Sequence, residues 1–268
     1  MWIRGPLDWV AVASLKSALA QGHVVHLYSY GDIPNLPRGI THLDARDIVP
    51  EDEIFHYDGV NNEEAFGSVA PFSDAFRYRM LASRPKIWID ADIYFVKRLD
   101  TARDVLLAWE GPQASPWDKD SFRYRLGNGV LRFPHGSPVL QDLVRITSRP
   151  YQMPPWVPPH IREAALKKLA GRPFFPGALT YASVGPVAVD YFVRKHHRLG
   201  DARSHEYYYP VSFRHMERFA EPDDSFRAAL PAVTEVIHLW NSGFKRRFHD
   251  QPPAGSFAAR LREEALDA

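Results

Sequence analysis

The sequence contains no cysteine. That excludes a disulfide framework and thiolate metal ligation, and it suits a reducing compartment. No apolar run approaches the roughly 18 residues of a membrane span. Met1 to Pro6 lack the apolar core of a secretory signal. The expectation is a cytoplasmic protein, with peripheral contact at the inner membrane face left open. Net charge is also scarce, because 33 Lys and Arg stand against 32 Asp and Glu. Global charge therefore gives no argument for nucleic acid, and any charged partner surface must be local. Internal repeats and low-complexity tails are absent.

What is present suits a sizeable core: 268 residues, of which 45% are hydrophobic. The chain opens as strand–helix–strand. Met1–Arg4 reads as a short strand, Asp8 as the N-cap of a helix from Trp9 to about Ala20, and Val24–Tyr30 as a second strand. That order is a βαβ start with a right-handed crossover. A strand carrying Asp44 is expected within Ile40–Val49, and a polar loop from Asn61 to Pro71. Ser73 is expected to cap a helix that Arg84-Pro85 ends. Further strands are expected at Leu106–Trp109, Val130–Phe133, Tyr207–Val211 and Thr234–Leu239. Helices are expected over Ser137–Thr147, Ile161–Ala170, Gly185-Pro186 to about His197, and Gly255–Leu266. The proline-rich stretch 148–160 fits a lid or a semi-rigid connector. The basic helix end Arg194–Arg198 suits the negative helix C-terminus, with a contact to acidic lipid as the other reading.

The chemistry concentrates in Lys86–Lys97, an apolar strand-like run broken by Asp90 and Asp92. On one strand, residues two apart share a face; a turn at this point would remove that constraint. Two nearby carboxylates in an apolar setting repel and lose hydration, and a hard divalent cation relieves both costs while leaving room for a phosphate. Asp118-Lys119-Asp120 has the same spacing but charged, loop-like flanks, so it reads as solvated surface. Asp74, Arg77 and Tyr78 lie at i, i+3 and i+4, on one helix face. They are either a surface ion pair or a polar face turned toward the aspartates. Asn128, flanked by Gly127 and Gly129, is either a turn residue or a point of close substrate approach. His238 ends an apolar strand and is either a hydrogen-bonded semi-buried residue or a ligand.

Taken together, Trp2 with Gly5, Gly22-His23, Phe72–Tyr78, Trp88–Asp92, Gly185-Pro186 and His238–Asn241 resemble, in that order, the DxD-type glycosyltransferases of the GT-A fold. The resemblance is greatest to the bacterial capsular-polysaccharide and α-1,4-glycosyltransferase-like group, and more distant to the catalytic core of clostridial glucosylating toxins. It runs from Trp2 to about Gly243. The one departure is Arg84-Pro85-Lys86, where the family usually has Gly-Gly.

The resemblance implies an α/β, GT-A-like single domain, with a mixed, mostly parallel sheet flanked by helices. Residues 1–133 would form the nucleotide-sugar-binding half, and 134–268 the acceptor-side half. It implies a metal-dependent hexosyltransferase that retains anomeric configuration. The donor would be a nucleotide sugar, UDP-hexose foremost and GDP-mannose as the alternative. The acceptor would be a glycan or glycolipid in surface-polysaccharide synthesis. Asp90, Asp92 and His238 would hold Mn²⁺ or Mg²⁺. Trp2, Asp74, Arg77, Tyr78, Asp90, Trp240 and Asn241 would bind donor, and Asp74, Arg77 and Asn128 would serve catalysis. A metal-dependent phosphohydrolase and a carbohydrate-binding module are the readings from other classes.

Overall fold

Asp8 stands where the extended N-terminal segment turns into helix α1 (Trp9–Ala20), and its carboxylate accepts the Ala11 amide at 2.8 Å. This is the expected cap, satisfying one of the donors that the first turn leaves open. In this computed structural model, residues 1–58, 66–111, 125–248 and 251–267 are described. Strand β1 (His26–Ser29) follows α1 and pairs in parallel with β2 (Thr41–Asp44). Trp2 bridges Ser29 in parallel on the other side of β1. The expected strand–helix–strand start is therefore present, with its first strand reduced to one bridge.

Helix α2 (Ala70–Ser83) begins three residues before the expected Ser73 cap. Pro71 lies in its first turn, where a missing amide costs nothing, so Ser73 is carried inside the helix. Arg84 ends it in extended geometry, as a residue before proline should. The strand expected over 86–97 is two strands. β3 (Trp88–Ile89) pairs antiparallel with β5 (Val130–Leu131), and β4 (Ile93–Phe95) pairs antiparallel with β6 (Val236–His238). Leu106, Ala108 and Trp109 contribute only isolated bridges. Among the described residues the pairing is one parallel and two antiparallel two-stranded ladders, not a mostly parallel sheet. The architecture is mixed α/β.

The later helices are α3 (Pro138–Ile146), α4 (Pro159–Leu169), α5 (Pro186–Lys195), α6 (Asp223–Ala228), α7 (Asn241–Phe248) and α8 (Phe257–Leu266). Tyr207–Val211 does not form the expected strand. A 3-10 turn over His205–Tyr207 leads into it, and Tyr208 and Tyr209 are buried. The Tyr208 carbonyl accepts the His238 amide of β6 at 3.2 Å, but no ladder forms. Helix α7 was not expected, because its basic run Lys245–Arg247 follows a glycine and carries little apolar pattern. The Asn61–Pro71 loop is described only from Phe66, and Asp118-Lys119-Asp120 lies outside the described residues.

The largest apolar cluster takes side chains from Tyr28 through Phe192 and includes Phe72, Phe76, Trp88 and Leu143. A second cluster packs α8 against α1, α6 and α7 through Phe219, Phe226, Phe244 and Phe257. Trp156, from the proline-rich stretch, packs on Tyr191 and Phe192 and donates to the Ser183 carbonyl at 3.0 Å. No helix among the described residues is long and apolar enough to cross a membrane.

The basic end of α5 is paired internally. Lys195 and His196 reach Asp142 of α3 at 2.7 and 2.8 Å, and Arg194 reaches Asp190 at 2.6 Å. Burial acts to raise the Asp142 pKa, but Lys195 and His196 outweigh it and hold the carboxyl below its ordinary 3.8. A depressed folded-state pKa means the stabilisation is present above that ordinary value and fades as pH falls through the folded one. Asp142→Asn should therefore lower stability at pH 7 and shrink the wild-type loss as pH falls below about 4. Urea denaturation across that range measures both effects. A wild-type and a variant curve that stay parallel throughout would exclude this role for Asp142.

Candidate metal and ligand site

Asp90 and Asp92 flank the point where the two antiparallel ladders meet. The Asp90 amide donates to the Gly129 carbonyl at 2.8 Å, extending the β3–β5 ladder. The Leu239 amide donates to the Asp92 carbonyl at 2.9 Å, extending β4–β6. Between them the Ile93 amide closes a turn onto the Asp90 carbonyl at 3.2 Å. The two aspartates thus sit on a turn with both ends fixed. That differs from the shared face of one strand, yet it still brings the carboxylates together. Asp90, Asp92 and His238 each offer a ligand atom within 4.8 Å of the others, so the group could hold a metal ion.

The free atoms suit that role. Asp90 Oδ1 accepts from Trp88 Nε1 at 2.7 Å and from Arg77 at 3.1 Å. A Cβ on Gly129 would lie 3.1 Å from Asp90 Oδ2, so the glycine gives that oxygen its room. Asp92 Oδ2 accepts the Asn241 amide at 2.9 Å, and Oδ1 lies 3.4 Å from His238 Nε2. The other imidazole nitrogen, Nδ1, is buried without a hydrogen-bond partner, a situation that costs free energy unless a ligand or a ring rotation satisfies it. Two carboxylates and an imidazole fit Mn²⁺ better than Mg²⁺, which prefers oxygen alone. Burial acts to raise the Asp92 pKa, but the neighbouring His238 and the Asn241 amide bring it down to about 2. Burial acts to lower the His238 pKa, and Asp92 reverses this, raising it.

Arg77 ties this group to α2. Its guanidinium lies 3.2 Å from Asp74 and 3.1 Å from Asp90, donates to the Asn128 carbonyl at 2.5 Å, and sits 4.9 Å above the Trp88 ring. Asn128 Nδ2 donates to Asp74 Oδ1 at 2.9 Å. The Asp74–Arg77 pair is therefore buried rather than superficial. Burial pushes the Asp74 pKa up to about 6, against the pull of Arg77 and with the push of Asp90. Asn128 is more than a turn residue, since both its amide and its carbonyl hold side chains of this cluster.

These residues line a cleft of about 1580 Å³. Trp2, Asp74, Arg77, Asn128, Asp90, Asp92, His238, Trp240 and Asn241 all border it. Tyr78 does not. It is fully buried, and its hydroxyl donates to the Val184 carbonyl at 3.0 Å, bracing the start of α5. Trp240 has a φ of 57°, packs edge-on to His238 at 4.0 Å and donates to the Val211 carbonyl at 2.8 Å. Asn241 Nδ2 reaches Asp8 at 3.3 Å, linking the site to the α1 cap. Glu110, Arg125 and Tyr181 also line the cleft. They belong to no motif, and only the fold gathers them.

Gly185, the N-cap of α5, faces Asp74 so closely that a Cβ would fall 2.6 Å from Oδ2. Gly185→Ala should displace the carboxylate from Asn128 and Arg77 and lower stability by about 1–3 kcal/mol. Gly200, whose added Cβ meets nothing within 4 Å, should accept alanine within about 0.5 kcal/mol. Chemical denaturation of the two variants beside wild type makes the comparison. Comparison with models of known protein families returns no match, and neither does comparison with curated proteins.

Proposed function

We propose that the chain is a metal-dependent glycosyltransferase of the GT-A type, moving a hexose from a nucleotide sugar, UDP-hexose foremost, to a glycan or glycolipid acceptor. The observation that carries this reading is the joining of two things in one cleft. One is the Asp90–Asp92–His238 group; the other is the buried Asp74–Arg77–Asn128 cluster linked to it through Asp90. The resemblance in motif order supports the GT-A assignment and retention of anomeric configuration.

In this reading Asp90, Asp92 and His238 hold Mn²⁺, which supplies positive charge for the departing diphosphate. Arg77 adds a fixed positive charge beside Asp90 and needs no reorganisation, because both acids and the Asn128 carbonyl already orient it. Asp74, aimed by Asn128, accepts from hydroxyls of the transferred sugar. Trp2 offers a ring to the nucleobase. Asn241 donates its main-chain amide to Asp92 and so positions that carboxylate. Tyr78 braces the site from behind and does not touch donor. The bond from the anomeric carbon to the diphosphate breaks as the bond to the acceptor oxygen forms on the same face. The acceptor proton passes to the leaving diphosphate, so no separate strong base is required.

A two-metal phosphohydrolase fits less well. Among the described residues one such ligand group is present, whereas paired-ion hydrolysis needs two sets. Asp92→Ala should abolish Mn²⁺-dependent nucleotide binding and turnover, while Asp120→Ala should leave both intact. Calorimetry with UDP and Mn²⁺, followed by nucleoside diphosphate release from a panel of nucleotide sugars, reads the two quantities. Release of inorganic phosphate from the wild type would instead indicate a hydrolase. Sugar binding without any release would indicate a binding module.

A further inference from the structure

Glu110 and Arg125 face each other across paired main chain. The Glu110 amide donates to the Arg125 carbonyl at 2.9 Å, and Trp109 and Leu126 bridge beside them. Their side chains pair at 3.1 Å through Arg125 Nε and Glu110 Oε2. This is the only ion pair that either makes among the described residues. Both residues line the same cleft as the metal-ligand group, and neither belongs to it.

Tyr181 stands on the same cleft lining and is 54% exposed. It is one of few large apolar side chains that the fold leaves in water, and its ring is fixed by a tilted contact with the buried Tyr57 at 5.9 Å. The Ala182 amide, next along the chain, is tied to the Tyr57 hydroxyl at 3.0 Å. Gly185, four residues past Tyr181, abuts the Asp74 carboxylate, and Asn128, three residues past Arg125, donates to the same carboxylate at 2.9 Å. The three side chains accordingly form one neighbourhood, adjoining the Asp74 cluster.

An exposed ring, a carboxylate that accepts and a guanidinium that donates are the complement of a pyranose. The ring covers an apolar C–H face, and the charged pair takes up vicinal hydroxyls as acceptor and donor. A neutral peptide or lipid tail would use the ring but leave the charged pair desolvated and unmatched. We infer that Tyr181, Glu110 and Arg125 form a pyranose subsite, occupied by the acceptor sugar in the transfer reaction. The assignment of the occupant as acceptor rests on the proposed glycosyltransferase function; the pyranose subsite itself does not.

The test titrates full-length protein with methyl glucoside, galactoside and mannoside, read by saturation-transfer NMR, with UDP and Mn²⁺ binding measured separately by calorimetry. Wild type should bind at least one of the glycosides. Tyr181→Ala and Glu110→Gln should weaken that binding ten-fold or more, Tyr181→Phe should keep it, and UDP–Mn²⁺ affinity should stay within two-fold in all three. Thermal melting confirms that each variant is folded. Glycoside binding that is absent in wild type, or unchanged in Tyr181→Ala and Glu110→Gln, overturns the subsite whatever the nucleotide result. Tyr181-dependent glycoside binding without any nucleotide binding upholds the subsite and instead removes the transferase reading.

Discussion

The site depends on a guanidinium that has been taken out of water. Arg77 lies between Asp74 and Asp90 with almost no exposure, over the face of Trp88. Withdrawing such charges from solvent costs several kcal/mol per ion. It is tolerable only because the partners are already in place: two carboxylates, one main-chain carbonyl and an aromatic face. The four partners come from α2, β3, the turn after β3, and the Gly127–Gly129 approach to β5. The ion cluster thus fixes their relative positions. Leaving one of these charges buried alone is the expensive outcome, about 3–5 kcal/mol in comparable pairs. Arg77 is therefore as much an organiser of the fold as a member of the site.

That constraint explains why the aspartates can sit on a turn and still be held closely. A turn usually gives a side chain freedom. Here the turn is bracketed by ladders that run into different partners, β5 on one side and β6 on the other. Asp90 is drawn back by Arg77 and Trp88, and Asp92 by the amide of Asn241. The carboxylates are set by four separate segments, and His238 arrives as the last residue of β6. These bonds fall on Asp90 Oδ1 and Asp92 Oδ2, leaving Asp90 Oδ2 and Asp92 Oδ1 outside them.

Much of this was legible in the sequence, and the gaps have physical causes. Asp8 as a cap, the end of α2 at Arg84-Pro85, the α3 boundaries near Pro138 and the strand ending in His238 all follow from local chemistry. The preference for Asp90 and Asp92 also rests on a local property, the apolar run on both sides, while Asp118 and Asp120 lie outside the described residues. The break between β3 and β4 was not legible, because β-branched and aromatic residues continue through it and the reason for the turn is tertiary: two different partner strands. Tyr207–Val211 reads as strand by propensity, yet its tyrosines fill the core from irregular backbone. Tyr78 shares a helix face with Asp74 and Arg77, but its longer side chain passes the cluster and reaches α5. Glu110, Arg125 and Tyr181 leave no signal, because residues so far apart with no fixed spacing become neighbours only through the fold.

A chain with a formal charge of +1 can still present strong local fields, and the cleft does so. Asp74, Asp90, Asp92 and Glu110 line it together with Arg77, Arg125, Arg214, Arg218 and Arg246, and Arg77 and Arg125 pair directly with Asp74, Asp90 and Glu110. A ligand with one strongly anionic end and one neutral, hydroxyl-rich end matches such a surface in a single orientation. Its anionic end is drawn toward the arginines and any dication held by Asp90, Asp92 and His238, and its neutral end is left to hydrogen-bond with Asp74 and Glu110. On the proposed function, a nucleotide sugar is such a ligand. Orientation would then be decided before any sugar-specific contact forms, and the Asp74–Arg77–Asn128 cluster would need only to choose among hexoses already pointing the right way.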